Sequence, residues 1–340
     1  MLHRMALAFI VSFFLPMYPS SVSAQSEVSL YKGKTVRIIV GYSPGGGYDA
    51  NARLLARFLG THIPGNPNVV VENMPGASSL KSVQYLEEAP KDGTVITAFS
   101  AGLVIQSQID PANFPIRLTN YSWIGSIGQE VRVCFMRAAT GVKTFDQLKK
   151  LPLISFGETG TGSAGYIDQS IMRTMLGVNV KTILGYPGSA DKMLAVERGE
   201  LDGDCISFTS IPVDWIKNNK INVIYRSSTP LLPGIPATAP YILDLVHNPE
   251  QVRLIKLLLA PTVVGRPYIA SKDIPKDRLA ILTQAFAATL KDPDFVAAAG
   301  AANLAMVGPM TGDEAAAYIA DSYSVGPDII AGAKKITGGQ

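Results

Sequence analysis

The sequence predicts an α/β protein built from two domains, and three observations support this prediction. The chain has 340 residues, about twice the usual size of one domain. Hydrophobic residues make up 47% and charged residues 17%, a balance that fits a packed core and excludes a mainly disordered chain. Buried-strand patterns alternate with helical periodicity in two separate stretches, which indicates βαβ units with parallel sheets.

The N-terminus has the layout of an export signal. A basic start, MLHRM, precedes the apolar run ALAFIVSFFLPMY and the small-residue site at Val22, Ser23 and Ala24. This order is typical of a secretory signal peptide that is cut after Ala24. A membrane anchor would need about 20 apolar residues, and Pro16 interrupts this run. We therefore expect residues 1–24 to be removed on export.

The first βαβ stretch begins with the apolar run VRIIV at 36–40, typical of a strand buried on both faces. An amphipathic helix follows, with apolar side chains at helical spacing and Gly60 at its end. Further strands are predicted at 69–71 and 95–99, with a helix at 79–88 between them. The segment 123–136 is predicted to be one long extended segment.

The second stretch repeats this alternation. Strands are predicted at 153–156, 180–184, 204–208 and 221–225, and helices at 166–176 and 190–198. Four prolines between 229 and 240 mark a connection, because proline disfavours helices and central strands. Helices near 276–290, 293–300 and 312–322 complete the chain. We assign residues 25–125 and 228–340 to domain 1 and residues 126–227 to domain 2.

Charge and cysteine content exclude several classes of protein. The 30 basic and 27 acidic side chains give a net charge of +3, too even for a nucleic-acid-binding protein, and we expect no nucleic-acid partner. Two Cys and three His exclude a cysteine-rich zinc module. Cys134 and Cys205 both lie in strand-like runs, and an oxidising compartment would let them pair. Two buried free thiols are the alternative, and the sequence leaves both open.

The first candidate site is a glycine-rich turn between the strand at 36–40 and the following helix. Three consecutive glycines let backbone approach a ligand closely or adopt positive φ. The helix start adds free N–H groups and partial positive charge, which together favour anions. A tight turn capped by Asp49 is the alternative, and the absence of Gly-Lys-Ser/Thr excludes an ATP-binding loop. The residues concerned are Ser43, Pro44, Gly45, Gly46, Gly47, Tyr48 and Asp49.

The second candidate site, GTGSAG at 160–165, also lies between a strand and a helix. A dinucleotide site would need an acidic residue about 20 positions later, where KTIL stands, so we expect no cofactor. A second anion-binding loop is the better interpretation, with hydroxyl donors from Thr161 and Ser163. A serine hydrolase would need glycine where Thr161 stands. Because no nucleophile–base pair or metal cluster is visible, we expect neither an enzyme nor a metal, and an exported hydrolase is the weaker alternative.

Other polar residues have mainly structural interpretations. His62 and His247 are expected in surface loops. Asp202 and Asp204 lie two apart, so they share one strand face as an acid pair or a cation ligand, or else mark the solvated start of a strand. If the two domains face each other, the two glycine-rich loops would bring both helix N-termini to one anion.

A series of short motifs runs through the chain in a fixed order. They are YKGK at 31–34, VRIIV at 36–40, PGGGxD at 44–49, VENxPGA at 71–77, DG at 92–93, GxGS at 160–163, GYxG at 185–188, GELD at 199–202 and KDP at 291–293. In order and spacing, this series resembles the substrate-binding receptors of tripartite tricarboxylate transporters, also called Bug proteins.

The resemblance implies a two-domain periplasmic binding protein of type II, the Venus-flytrap shape, with two crossing strands between the domains. It implies a periplasmic monomer that holds an organic acid in the cleft and contacts membrane transporter subunits transiently. The same protein presenting its ligand to a membrane sensor is the alternative. Beyond the first loop, the resemblance places ligand contacts at Gly76, Ala77, Ser78, Ser100, Ala101, Gly160, Thr161, Gly162, Ser163, Tyr186, Pro187 and Gly188.

Three positions depart from the family pattern. Tyr166 replaces a usual His, Pro187 replaces a usual Lys, and Tyr48 replaces a small residue. The first two changes remove positive charge. They favour a ligand with one anchored carboxylate and a less charged or aromatic remainder, which Tyr48, Tyr166 and Tyr186 would contact.

Overall fold

The computed structural model describes residues 30–304 and 306–338, so the predicted signal peptide and its cleavage site lie outside the described residues. The strands are β1 (Thr35–Val40), β2 (Asn68–Asn73), β3 (Val95–Ala98), β4 (Ser122–Ser126), β5 (Arg132–Arg137), β6 (Ile154–Glu158), β7 (Val180–Leu184), β8 (Gly203–Ser207), β9 (Ile221–Arg226), β10 (Pro267–Ala270) and β11 (Met310–Thr311). The longer helices are α1 (Gly47–His62), α2 (Leu80–Glu88), α3 (Gly102–Ile109), α4 (Phe145–Lys149), α5 (Ala164–Thr174), α6 (Ser189–Arg198), α7 (Val213–Lys217), α8 (Pro249–Leu259), α9 (Lys276–Lys291), α10 (Pro293–Ala301), α11 (Gly312–Ser322) and α12 (Pro327–Thr337).

The strands form two separate mixed sheets. The first has the order β11-β4-β10-β3-β1-β2, and the second has the order β7-β6-β8-β5-β9. Pairing is parallel among β1, β2 and β3 and among β6, β7 and β8, as predicted. The remaining pairings are antiparallel: β10 with β3 and β4, β11 with β4, and β5 with β8 and β9.

Two segments connect the sheets. The predicted extended segment at 123–136 is divided, with β4 in the first sheet, β5 in the second and residues 127–131 crossing between them. The return crossing lies at 262–266. The N–H of Glu130 donates to the Thr262 carbonyl at 2.9 Å, and that of Ile127 donates to the Arg266 carbonyl at 3.1 Å. The two crossing segments are therefore hydrogen-bonded to each other.

The position of the return crossing affects the predicted domain ranges. Helices α8 and α12 fall within the range 228–340 assigned to domain 1. Their apolar side chains pack instead with those of β6 and α5, in one buried cluster that includes Ile255, Leu258, Ala333 and Ile336. For α8, the reason is that the chain returns to the first sheet near 262 rather than near 228. For α12, the reason is that the C-terminal segment later packs back against α5. The exact boundaries stay a prediction.

Cys134 and Cys205 form a disulfide. They lie directly opposite each other on antiparallel strands β5 and β8. Of the two interpretations that the sequence leaves open, the paired one is correct. In the described parts of the chain, no helix has both the length and the apolar character needed to span a bilayer.

Candidate functional site

A cavity of about 60 Å³ lies between the two domains, at the ends of their parallel strands, and is partly open to solvent. Both glycine-rich loops contribute to its wall, through Gly46 on one side and Ser163 on the other. A larger groove of about 460 Å³ lies beside β9 on the second domain and includes neither loop. The inter-domain cavity is therefore the candidate site.

The first loop packs directly against the second domain. A Cβ on Gly46 would overlap the Ser189 hydroxyl, and one on Gly47 would overlap the Ser210 hydroxyl. Gly45 has φ of +86°, which glycine adopts without strain. Gly45 therefore allows the turn, and Gly46 and Gly47 allow the two domains to approach each other closely.

Hydrogen bonds between the domains hold this contact. The Ser43 N–H donates to the Pro187 carbonyl at 3.0 Å, and the Ser43 hydroxyl donates to Asp191 at 2.6 Å. At the opposite rim, Ser100 Oγ donates to the Gly162 carbonyl at 3.3 Å. Hydrogen bonds thus join the two domains at both rims of the cleft.

The backbone donors of the first loop are only partly used. Asp49 Oδ2 accepts from the Gly45 N–H at 2.9 Å, and Arg53 and Asn73 also donate to its carboxylate. Within the described residues, the N–H groups of Gly46 and Tyr48 donate to no protein acceptor. Both residues line the cavity, and unpaired N–H groups at the start of a helix are of the kind that binds anions.

Asp49 lies behind the loop rather than in the cavity wall. Burial works against its ionisation, but hydrogen bonds from Arg53, Gly45 and Asn73 outweigh it and hold the pKa of Asp49 below its usual value. Asp49 is at the third position of α1 and reaches back to the loop, whereas the N-cap residue itself is Gly46. Its carboxylate therefore stabilises the turn.

Tyr48 forms part of the cavity wall. Its hydroxyl donates to the Gly265 carbonyl at 2.9 Å and accepts from the Ala101 N–H at 3.3 Å. The Arg266 guanidinium lies over the ring at 4.4 Å, and burial raises the pKa of Tyr48 well above its usual value. The side chain is fixed from several directions.

The second loop already holds an anion, which is the protein's own Glu158. This carboxylate lies at the N-terminus of α5, so close to Gly165 that a Cβ there would overlap Oε1. Ser163 Oγ donates to Oε2 at 2.6 Å and the Thr159 N–H donates to it at 3.2 Å. The second loop therefore contacts an internal carboxylate, whereas the sequence predicts a loop that binds the anion of a ligand.

Lys192 connects Glu158 to Asp204. Its ammonium lies 2.9 Å from an oxygen of each carboxylate, and all three side chains are buried. Burial, together with the nearby Glu158 charge and against the opposing effect of Lys192, raises the pKa of Asp204 to about 7. Asp204 is thus not the solvated start of a strand. Asp202 instead accepts from the Ser155 N–H at 2.7 Å, so the two aspartates have different partners.

A second buried charge network lies at the crossing segments. Glu130 accepts from Arg266 at 2.6 Å and from Arg132 at 2.8 Å, and Arg132 also contacts Asp168 at 2.8 Å. Arg266 further donates to Ser207 at 2.9 Å. Burial opposes ionisation, but the two guanidinium groups keep the pKa of Glu130 below its usual value.

Of these charged residues, only Asp204 is a candidate from the sequence, and its partner Lys192 is not. Arg132, Lys192 and Arg266 occupy strand, helix and loop positions where a basic residue normally faces solvent. The position of Glu158, at the end of a strand before a glycine-rich loop, is the one local signal that points to the site.

The turn after β2 meets the second loop across the cleft. Ala77, Ser78 and Ser79 have φ of +45°, +54° and +73°, which side chains other than glycine rarely adopt. The Thr159 hydroxyl donates to Ser78 Oγ at 3.3 Å. A Cβ on Gly160 would lie 2.8 Å from the same hydroxyl. The turn contributes to cleft closure, and Gly76 and Ala77 themselves are exposed.

Of the twenty predicted contact residues, four line the cavity: Gly46, Tyr48, Ser100 and Ser163. Two of the three tyrosines are among those that do not. Tyr166 is buried in the core, where its hydroxyl donates to the Thr337 carbonyl at 3.0 Å on the C-terminal helix. Tyr186 packs against Gly157 instead of lining the cavity. Of the three tyrosines proposed to contact the ligand, only Tyr48 is in the wall.

His62, at the end of α1, contacts Asp292 at 2.9 Å, and His247 is exposed.

Comparisons with known proteins identify the class of fold. No protein-family model matches the chain. The solved structure of the periplasmic binding protein BugD has a TM-score of 0.73, with 23% identity over 90% of this chain and 98% of that one. MatC from Rhodopseudomonas palustris, solved with bound malate, has a TM-score of 0.71, with 17% identity over 90% of this chain and all of that one. The fold is that of a two-domain, type II periplasmic binding protein.

Sequence relatives agree with this result. A UPF0065 protein of Bordetella pertussis is 28% identical over 186 residues, covering 53% of this chain and 56% of that protein. A UPF0065 protein of Agrobacterium vitis is 26% identical over 221 residues, covering 63% and 62%. The matched segments thus span less than two thirds of these two relatives. Together with the BugD structure, they confirm the resemblance to the Bug family.

Proposed function

We propose that this chain is a periplasmic solute-binding receptor that captures an organic carboxylate between its domains for a tripartite tricarboxylate-type transporter. The observation that supports it best is the inter-domain cavity with free backbone donors in its wall. The neighbouring structures with bound malate and adipate make a carboxylate the first class to test. Export follows from the predicted signal peptide.

Backbone groups are the proposed anchor for the carboxylate. The N-termini of α1 and α6 meet at the cavity, through Gly46 and Tyr48 on one side and Ser189 on the other. Free N–H groups and the partial positive charge of each helix favour an anion there. Ligand contact with both domains would favour the closed form, a change that membrane subunits could detect.

The size of the cavity narrows the ligand. A volume of about 60 Å³ corresponds to about two waters at the roughly 30 Å³ that each occupies in the liquid. A cavity that binds benzene is larger, about 150 Å³. The closed form therefore favours a short-chain acid over an aromatic one, which also fits the positions of Tyr166 and Tyr186.

A thermal-shift screen of residues 25–340 against short-chain carboxylates tests the proposal. A ligand at about 100 times its Kd adds roughly 2.7 kcal/mol to the free energy of unfolding, a readily measured rise in Tm. The matched neutral control is the amide of each acid, such as butanamide for butanoate, which should give no shift. The protein should first be unfolded and refolded to remove any bound solute. Absence of a shift with every carboxylate after refolding would refute the proposal.

A further inference from the structure

Glu158 occupies the place in the second domain where a bound carboxylate would lie. It receives hydrogen bonds from a backbone N–H, a hydroxyl and an ammonium group, from Thr159, Ser163 and Lys192. It lies at the N-terminus of α5, where the helix favours negative charge. It is buried and also forms part of the cavity wall. These contacts would otherwise be available to a ligand.

The charges around the cavity point in the same direction. Three cations, Arg132, Lys192 and Arg266, face four buried carboxylates, and among the described residues each of these cations is ion-paired. One negative charge is in excess when Asp204 is ionised, and none when it is protonated. In both states, no cation in the wall is left for a second ligand carboxylate. The carboxylates are Glu130, Glu158, Asp168 and Asp204.

A dicarboxylate would therefore place its second charge beside Glu158. Like charges brought together in a cavity of low dielectric are strongly unfavourable. Selectivity can come from such a repulsive element as well as from attractive contacts. The free donors at Gly46 and Tyr48 accommodate a first carboxylate, but the second domain offers no equivalent place.

We propose that the cleft selects monocarboxylates against dicarboxylates, and that Glu158 sets this preference by occupying the second carboxylate position. This inference rests on the proposed function and names its ligand class more narrowly. A ligand hydroxyl fits beside Glu158 because it can donate a hydrogen bond to the carboxylate. A ligand carboxylate cannot donate one when it is ionised.

Calorimetric titration with acids of equal carbon number tests this selectivity in the refolded protein. The pairs are propanoate with malonate, butanoate with succinate, and 3-hydroxybutanoate with malate. We expect a monocarboxylate to bind about 100-fold more tightly than its dicarboxylate partner. Tighter binding of a dicarboxylate would overturn this inference and leave the proposed function standing. Binding of no carboxylate at all would refute the proposed function, and this inference with it.

The Glu158→Gln variant tests the role of Glu158 itself. Glutamine keeps the shape of the side chain but removes its charge, so the partner dicarboxylate should gain about tenfold in affinity. Exposed Glu200→Gln in the same domain is the matched control and should change nothing. Asp204→Asn removes one negative charge but keeps the ion pair between Glu158 and Lys192. It should therefore give little gain in dicarboxylate affinity. Two results would overturn the role assigned to Glu158. One is an equal gain in dicarboxylate affinity in Asp204→Asn, and the other is no gain in a folded Glu158→Gln protein. If Glu158→Gln does not fold, the wild-type selectivity and the Asp204→Asn result still decide.

Discussion

The two glycine-rich loops at 43–47 and 160–165 have the same position in their domains but different neighbours. Each follows a parallel strand and precedes a helix. Gly46 in the first loop has an N–H that donates to no described residue, whereas the helix N-terminus behind the second loop already holds Glu158. A glycine-rich loop before a helix can therefore bind a carboxylate of the protein itself, in the place where an anionic ligand could bind.

The acidic residue of each loop also lies in a different direction. Asp49 is behind the first loop and joins it to Arg53 and Asn73, away from the cavity. Glu158 is at the front of the second loop and joins it to Lys192 in the cavity wall. The first carboxylate therefore supports a turn, and the second defines the chemistry of the cleft.

Lys192→Met should have the largest effect, and it acts on the charge network beside the second loop. It leaves Glu158 and Asp204 buried without their shared cation, and breaking a buried ion pair costs about 3–5 kcal/mol in the free energy of unfolding. Urea denaturation measures this loss. Exposed Lys217→Met is the matched control, with an expected change below about 0.5 kcal/mol. A loss for Lys192→Met as small as that of the control would show that the ion pairs contribute little.

The pH dependence of stability should come from the same charge network, through Asp204 on β8. Because the pKa of Asp204 is about 7 in the folded protein and near 3.8 when unfolded, folding takes up a proton between these values. Its contribution to stability is present below pH 3.8 and is lost as pH rises towards 7, by at most about 1.4 kcal/mol per pH unit. Thermal unfolding of wild type and Asp204→Asn from pH 4 to 8 should show a less negative slope in the variant. If the unfolding temperatures of the two proteins changed with pH in parallel, Asp204 would not be the source of the pH dependence.

Gly46→Val tests the first loop through ligand binding. The new side chain would overlap Ser189 and oppose closure of the cleft. Overpacking costs about 1–3 kcal/mol, which corresponds to roughly 5- to 140-fold weaker binding of whichever acid the screen identifies. If the domains separate without ligand, as the proposed function requires, the overlap disappears, and the unfolding temperature without ligand should change little. Gly300→Val, where a Cβ meets no atom within 4 Å, is the control for the substitution itself. Unchanged affinity in Gly46→Val would show that this contact is not required.

The sequence was sufficient to predict the two α/β units, because buried strands and amphipathic helices have distinct periodicities. It also indicated the first loop, because three consecutive glycines after a strand are a local pattern. The charge networks were not predictable in the same way. Lys192 meets Glu158 across 34 residues and Arg266 meets Glu130 across 136, and no local pattern encodes such pairings. Tyr166 is a further example. Its hydroxyl contacts the C-terminal helix, and the sequence around Tyr166 does not specify that contact.

Asp49→Ala should have the smallest effect and completes the comparison of the two carboxylates. It removes acceptors from the Gly45 N–H and from Asn73, and we expect a loss of about 1–2 kcal/mol in the free energy of unfolding. Because Asp49 lies behind the loop, the preference for mono- over dicarboxylates should not change, in contrast to Glu158→Gln. Asp49→Asn keeps an oxygen acceptor for Gly45 and should recover part of the stability. Urea denaturation and the paired titrations measure both properties. A changed preference in Asp49→Ala would mean that the first loop, and not only Glu158, determines which acid the cleft accepts.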